Sequence, residues 1–174
     1  ARFYECHPHP PVELLAGIDR LLRHHCPALH AHLVRIGAGP ADWAWPLLES
    51  LFSRVLCRAD WLVVWDHLLA HEPVFLLFVL IAFVRMHSGT LLLVRDVIEL
   101  ECVLFRQSAL QIRPWLRCAR EMHGKTPEDL VPTMGLFSAL PSGPTYPILI
   151  DAPLAVVDFG RREVERIRAH ELEL

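Results

Sequence analysis

Charge is scarce in this sequence, and its absence in places is informative. Charged residues make up 21% of the 174 positions and hydrophobic ones 53%. The net charge is −3 at pH 7, and no basic block rises above that background, so nucleic-acid binding is not indicated. The five cysteines, Cys6, Cys26, Cys57, Cys102 and Cys118, are odd in number and form no CxxC pair, which fits reduced thiols in the cytoplasm rather than a disulfide framework. A basic start followed by an apolar run is also missing from ARFYECHPHPP, so there is no signal-peptide pattern. Because the first residue is Ala1 and not methionine, the sequence reads as a segment of something longer. The stretch from Pro73 to Val84 contains no charge at all, but Glu72 and Arg85 bracket it and it falls short of the roughly 20 residues that a bilayer demands. It therefore predicts a helix surrounded by protein and not a membrane span.

What is present is helical periodicity. Leu14, Leu15, Ile18, Leu21 and Leu22 form one stripe, opened by Pro11. Pro27 starts a short helix through Leu33 and Ile36, closed by Gly37 and Gly39. Leu47, Leu48, Leu51, Phe52, Val55 and Leu56 recur on one helical face, and Trp61, Val64, Trp65, Leu68 and Leu69 make the next stripe. Leu93, Val97, Leu100 and Leu104 predict a further helix, Arg113 to Met122 a short one, and Thr126, Pro127 and Asp129 a capped start for one more. The fold class is all-α: an antiparallel multi-helix domain over 12–137 after an irregular lead-in at 1–11. A proline-punctuated strap follows at 138–157, and then a charged helix or the start of a coiled coil at 158–174. In the last segment Val164, Ile167 and Leu174 sit at a/d-like positions, and they are the expected partner-binding residues.

Two groups invite a chemical reading. His24, His25, Cys26, His30 and His32 lie close together, but structural zinc sites use two separated ligand clusters and there is no second one, so no metal is expected. No nucleophile is paired with a base, so no catalytic residue, cofactor or intrinsic enzyme activity is expected either.

The order of motifs resembles the C-terminal lobe of a TBC domain, the all-helical GTPase-activating module for Rab-family small G proteins. Leu14 to Leu22 with Pro27, Leu29 and His32 is similar to that family's "P.LY.HF" region, with His30 where an aromatic is usual. Trp45, Leu48, Phe52, Ser53 and Arg54 resemble "W.L.LFSR", Trp61 to Asp66 resembles "VLRLWD", and Leu76 to Val84 resembles the helix after it. The resemblance implies a Rab-family partner and structural roles for Trp45, Phe52, Arg54, Trp61, Trp65 and Asp66, with Asp66 hydrogen-bonded between helices and Arg54 at a helix end. The 127–173 region resembles a centrosomal, centriolar-satellite or ciliary member of the family, with further partners reached through the strap and final helix. A non-catalytic scaffold in such an assembly is the alternative. TBC catalysis uses an arginine from IxxDxxR and a glutamine from YxQ. Neither motif occurs here: Gln107 and Gln111 are the only glutamines, and neither follows a tyrosine by two residues. In the family both belong to the N-terminal lobe, so GTPase activation is expected only if they lie upstream of Ala1.

Overall fold

A computed structural model describes residues 12–106 and 111–132, together with 157, 160–162, 164–166 and 168. The described residues are helical, with no strand among them. Nine helices are defined in that part: α1 (Val12–His25), α2 (Pro27–Arg35), α3 (Pro40–Trp43), α4 (Trp45–Glu49), α5 (Arg58–Leu69), α6 (Phe75–Met86), α7 (Ser88–Leu91), α8 (Val97–Leu104) and α9 (Ile112–Lys125).

The uncharged stretch became the central helix. Every residue of α6 from Phe75 to Val84 is buried, as a helix without a polar face requires. Helix α9 packs along it most extensively and α1 covers another side. Leu15, Ile18, Leu21 and Leu22 of α1 are buried and Leu14 half-buried, in line with their spacing. α2 ends in a Schellman motif: Gly37 takes φ 75°, the Gly37 N–H donates to Val34 O at 3.0 Å and the Ala38 N–H to Leu33 O at 2.9 Å. Only glycine holds that φ without steric cost, which is why the helix stops there. Asp42 then fixes the start of α3 by accepting from the Gly39 N–H at 2.7 Å.

Four expectations are corrected. The stripe from Leu47 to Leu56 is not one helix: α4 ends at Glu49, and Leu51 (φ 44°) and Phe52 (φ 63°) are left-handed. Left-handed backbone costs roughly 1–2 kcal/mol per non-glycine residue. Tertiary packing holds it here, because Phe52 is fully buried between Phe83 (5.7 Å) and Trp115 (5.4 Å). The helix placed around Leu93 begins only at Val97, where the Asp96 carboxylate accepts from the Glu99 N–H at 2.8 Å; Leu93 is 76% exposed, and Leu91 and Val94 are buried instead. The helix placed at Arg113–Met122 runs longer, over Ile112–Lys125. Finally, Thr126 does not open another helix within the described residues, which continue as a turn to 132; its hydroxyl donates back to Met122 O at 2.7 Å and so caps α9. The lead-in at 1–11, the end of the 12–137 domain and all of the 138–157 strap except Val157 lie outside the described residues.

Candidate functional site

The motif residues between Trp45 and Asp66 build one unit, the turn after α4 together with α5. The Trp61 indole N–H donates to Leu51 O at 2.8 Å, which ties the left-handed turn to α5. Trp61 and Trp65 meet edge to face at 5.5 Å. Both are half-buried, as is Trp45, while Phe52 is the fully buried member of the set. The Trp65 indole N–H lies out of water without a hydrogen-bond partner among the described residues. Burying that donor unpaired costs on the order of 1–3 kcal/mol and offsets part of what the ring gains by packing.

The charged members of the motif point outward. Asp66 is exposed, and among the described residues its carboxylate makes no hydrogen bond or ion pair, so the expected interhelical link is not formed there. Arg54 is not at a helix terminus. It sits exposed on the strained turn with its guanidinium carbon 5.1 Å from the Phe105 ring centroid, a cation–π contact. The aliphatic stripe of α5 is corrected as well, since Val64 is its sole buried residue. Leu68 is half-buried, and Leu69 is 77% exposed beside Leu62 at 47% and Val63 at 42%. An apolar helix with one buried residue in twelve presents a face suited to contact.

At the other end of the chain, Val164 is 47% and Val157 58% exposed, at heptad spacing on helical residues. Arg166 reaches back to Asp42, Nη2 to Oδ2 3.8 Å. Ile167 and Leu174, the other expected partner-binding residues, lie outside the described residues.

The histidines serve the helices. His32 is buried and bridges two elements: its Nε2–H donates to Val94 O at 2.9 Å while Nδ1 accepts from Arg35 at 2.7 Å, which sets the tautomer. His30 pairs with Asp19 at 3.1 Å. His25 donates to the Thr126 hydroxyl at 2.8 Å, and burial, reinforced by His24 and Arg85, pushes its pKa down. Burial pushes the Cys26 and Cys118 thiols up, which keeps them protonated and unreactive. Among the described residues no group of three or more His, Cys, Asp or Glu side chains is arranged to hold a metal ion. A cleft of about 90 Å³ lies among His25, Arg85, Cys118, Glu121, Met122 and Lys125, well below the ~300 Å³ at which small-molecule pockets begin. No helix of the described residues is long and apolar enough to cross a membrane.

With the turn after α4, the largely exposed α5 and the enclosed α6 in place, residues 12–92 match the Rab-GTPase-TBC domain. The chain belongs to the TBC family. It is 33% identical over 173 residues to TBC1 domain family member 31 of Xenopus tropicalis, an overlap of 98% of this chain and 16% of that protein. The Mus musculus protein of the same name is 34% identical, with 17% of its length covered. TBC1 domain family member 19 of Homo sapiens is 31% identical over 112 residues, 64% of this chain and 21% of the relative. The chain thus spans about a sixth of the length of the curated member 31 proteins it matches. No solved structure matches it.

Sequence reasoning missed Trp115 and the role of His32, two residues that organise this TBC chain. Trp115 fills the centre of the core, with its indole N–H donating to Val79 O at 2.8 Å. The spacing Ile112, Trp115, Leu116, Ala119, Met122 carried that signal, since all five share one face and are buried. His32 had no comparable signal, because nothing local in the sequence reveals that its partner is the Val94 carbonyl.

Proposed function

We propose that this chain supplies partner-contacting surface to a TBC protein working in the cytoplasm at a centrosome, centriolar satellite or cilium, where it engages a Rab-family GTPase without contributing a catalytic finger. The observation that carries the reading is the complete absence of IxxDxxR and YxQ from the 174 residues. The one motif arginine, Arg54, has its charge against the Phe105 ring instead. The chain is therefore expected to leave the hydrolysis of GTP by any Rab-family protein at its intrinsic rate, whereas an arginine finger is worth about 10³ to 10⁵. Single-turnover hydrolysis with the chain and with Arg54→Ala checks this. Stimulation that disappears in Arg54→Ala would assign the finger to the turn after α4 and overturn the reading.

A scaffold role is the second reading, supported by the exposed Val157 and Val164. Isolated helices of this length are marginal in water, so an apolar seam at heptad spacing calls for a companion helix. Replacing Val164, Ile167 and Leu174 by serine is expected to abolish cross-linking to such a partner and leave the melting temperature of the helical body near that of the parent. A body that melts early in this variant would place the segment in the core and remove the scaffold's attachment point. Imaging the tagged full-length protein against a centrosomal marker tests the location.

A further inference from the structure

The outer face of α5 has an order that its burial does not explain. Arg58, Leu62 and Asp66 follow one another at i, i+4 and i+8, all three exposed, so they form a single ridge with a cation at one end, an aliphatic in the middle and an anion at the other. Neither charge has an ion-pair partner among the described residues. They are eight residues apart, too far for a pair within the helix, which needs a separation of three or four. On either side run parallel rows, Ala59 with Val63 and Trp65 with Leu69, in which Val63 is 42% and Leu69 77% exposed. The ridge is therefore charged only at its ends and flanked by apolar grooves.

We propose that this face is the interface of a homodimer in which two copies of α5 cross antiparallel about a twofold axis at Leu62. Such an axis makes residues equally far before and after Leu62 face each other, so Arg58 meets the Asp66 of the second copy and Asp66 meets its Arg58, with the two Leu62 side chains in contact between them. The helix geometry permits this: the i±4 ridge is inclined about 26° to its helix axis, so a crossing at about −50° brings the two ridges parallel, one facing the other along its length. Charge complementarity selects the occupant. A ridge reading cation, leucine, anion complements its own antiparallel image at both ends, and a parallel pairing in register would set cation against cation. The contact is one helix of twelve residues per copy, so the interface falls in the small, transient class.

Sedimentation equilibrium of the full 174-residue chain over a range of concentrations tests the proposal. The parent is expected to show a reversible monomer–dimer equilibrium. Arg58→Asp and Asp66→Arg should each weaken it by about tenfold or more, because each places like charges together twice per dimer. The double variant Arg58→Asp/Asp66→Arg should regain most of the parent's affinity, since it exchanges the ends of the ridge and keeps it self-complementary. Leu62→Asp should leave only monomer. All three positions of change are at exposed residues, so circular dichroism should match the parent throughout. A chain that stays monomeric at every concentration overturns the proposal and hands the face to a different protein. A dimer that ignores these substitutions, or a double variant no better than its singles, overturns it as well and moves self-association to another surface.

Discussion

Trp115→Ala is expected to lower the stability of the chain by about 3–5 kcal/mol, the range for removing a large aromatic from a closed core. Trp115 is wholly buried and lies edge to face with both Phe52 at 5.4 Å and Phe83 at 5.5 Å, so truncation empties the space where α9, α6 and the turn after α4 meet. The indole N–H that donates to Val79 O is lost at the same time. Trp65→Ala makes a controlled comparison, because it deletes the same side chain from a half-buried site and also removes an unpaired buried donor. Its expected cost is smaller, about 1–2 kcal/mol. Denaturant melts of the two variants decide the matter: equal losses, or a larger loss for Trp65→Ala, would show that the packing centre lies at α5 and not at α9. Against a typical total of about 5–15 kcal/mol, Trp115→Ala should leave a measurable unfolded population.

Phe52→Ala is the second large expected loss, about 3–5 kcal/mol by the same mechanism. Its interest lies in the backbone. Leu51 and Phe52 both hold left-handed conformations that cost roughly 1–2 kcal/mol each. The chain tolerates them because the turn drops the Phe52 ring between Phe83 and Trp115 and because the Leu51 carbonyl receives the Trp61 indole N–H. Without the ring, the larger of those two compensations is gone while most of the strain stays. The turn should then loosen, and the Trp61 anchor should become accessible to a fluorescence quencher. Phe52 and Trp115 touch, so the cost of the double variant should fall short of the sum of the singles by about 0.5–1.5 kcal/mol. Strict additivity would mean that the rings do not support one another and that the turn is held by something else.

The exposed face of α5 and the strained turn are two results of one arrangement. By pulling Phe52 inward, the turn sets α5 down with only Val64 fully buried, which leaves Leu62, Val63 and Leu69 facing out. Val157 and Val164 are exposed as well, at the other end of the chain.

Much of the fold was legible in the amino-acid order because local rules suffice for it. The uncharged stretch from Pro73 to Val84 could only be an enclosed helix, Gly37 could only close α2, and the stripe from Leu14 to Leu22 could only face a core, since helix periodicity and glycine's access to positive φ act over a few residues. The motif string read the family from the same short spans. The stretch from Leu47 to Leu69 was different. Its apolar spacing is as regular as that of α1, yet one half became a left-handed turn and the other an exposed helix. Spacing says which side chains share a face. Whether anything lies opposite that face depends on contacts between residues far apart in sequence, and Phe52 against Trp115, His32 against Val94 and Trp115 against Val79 exist only once α2, α6 and α9 have been brought together.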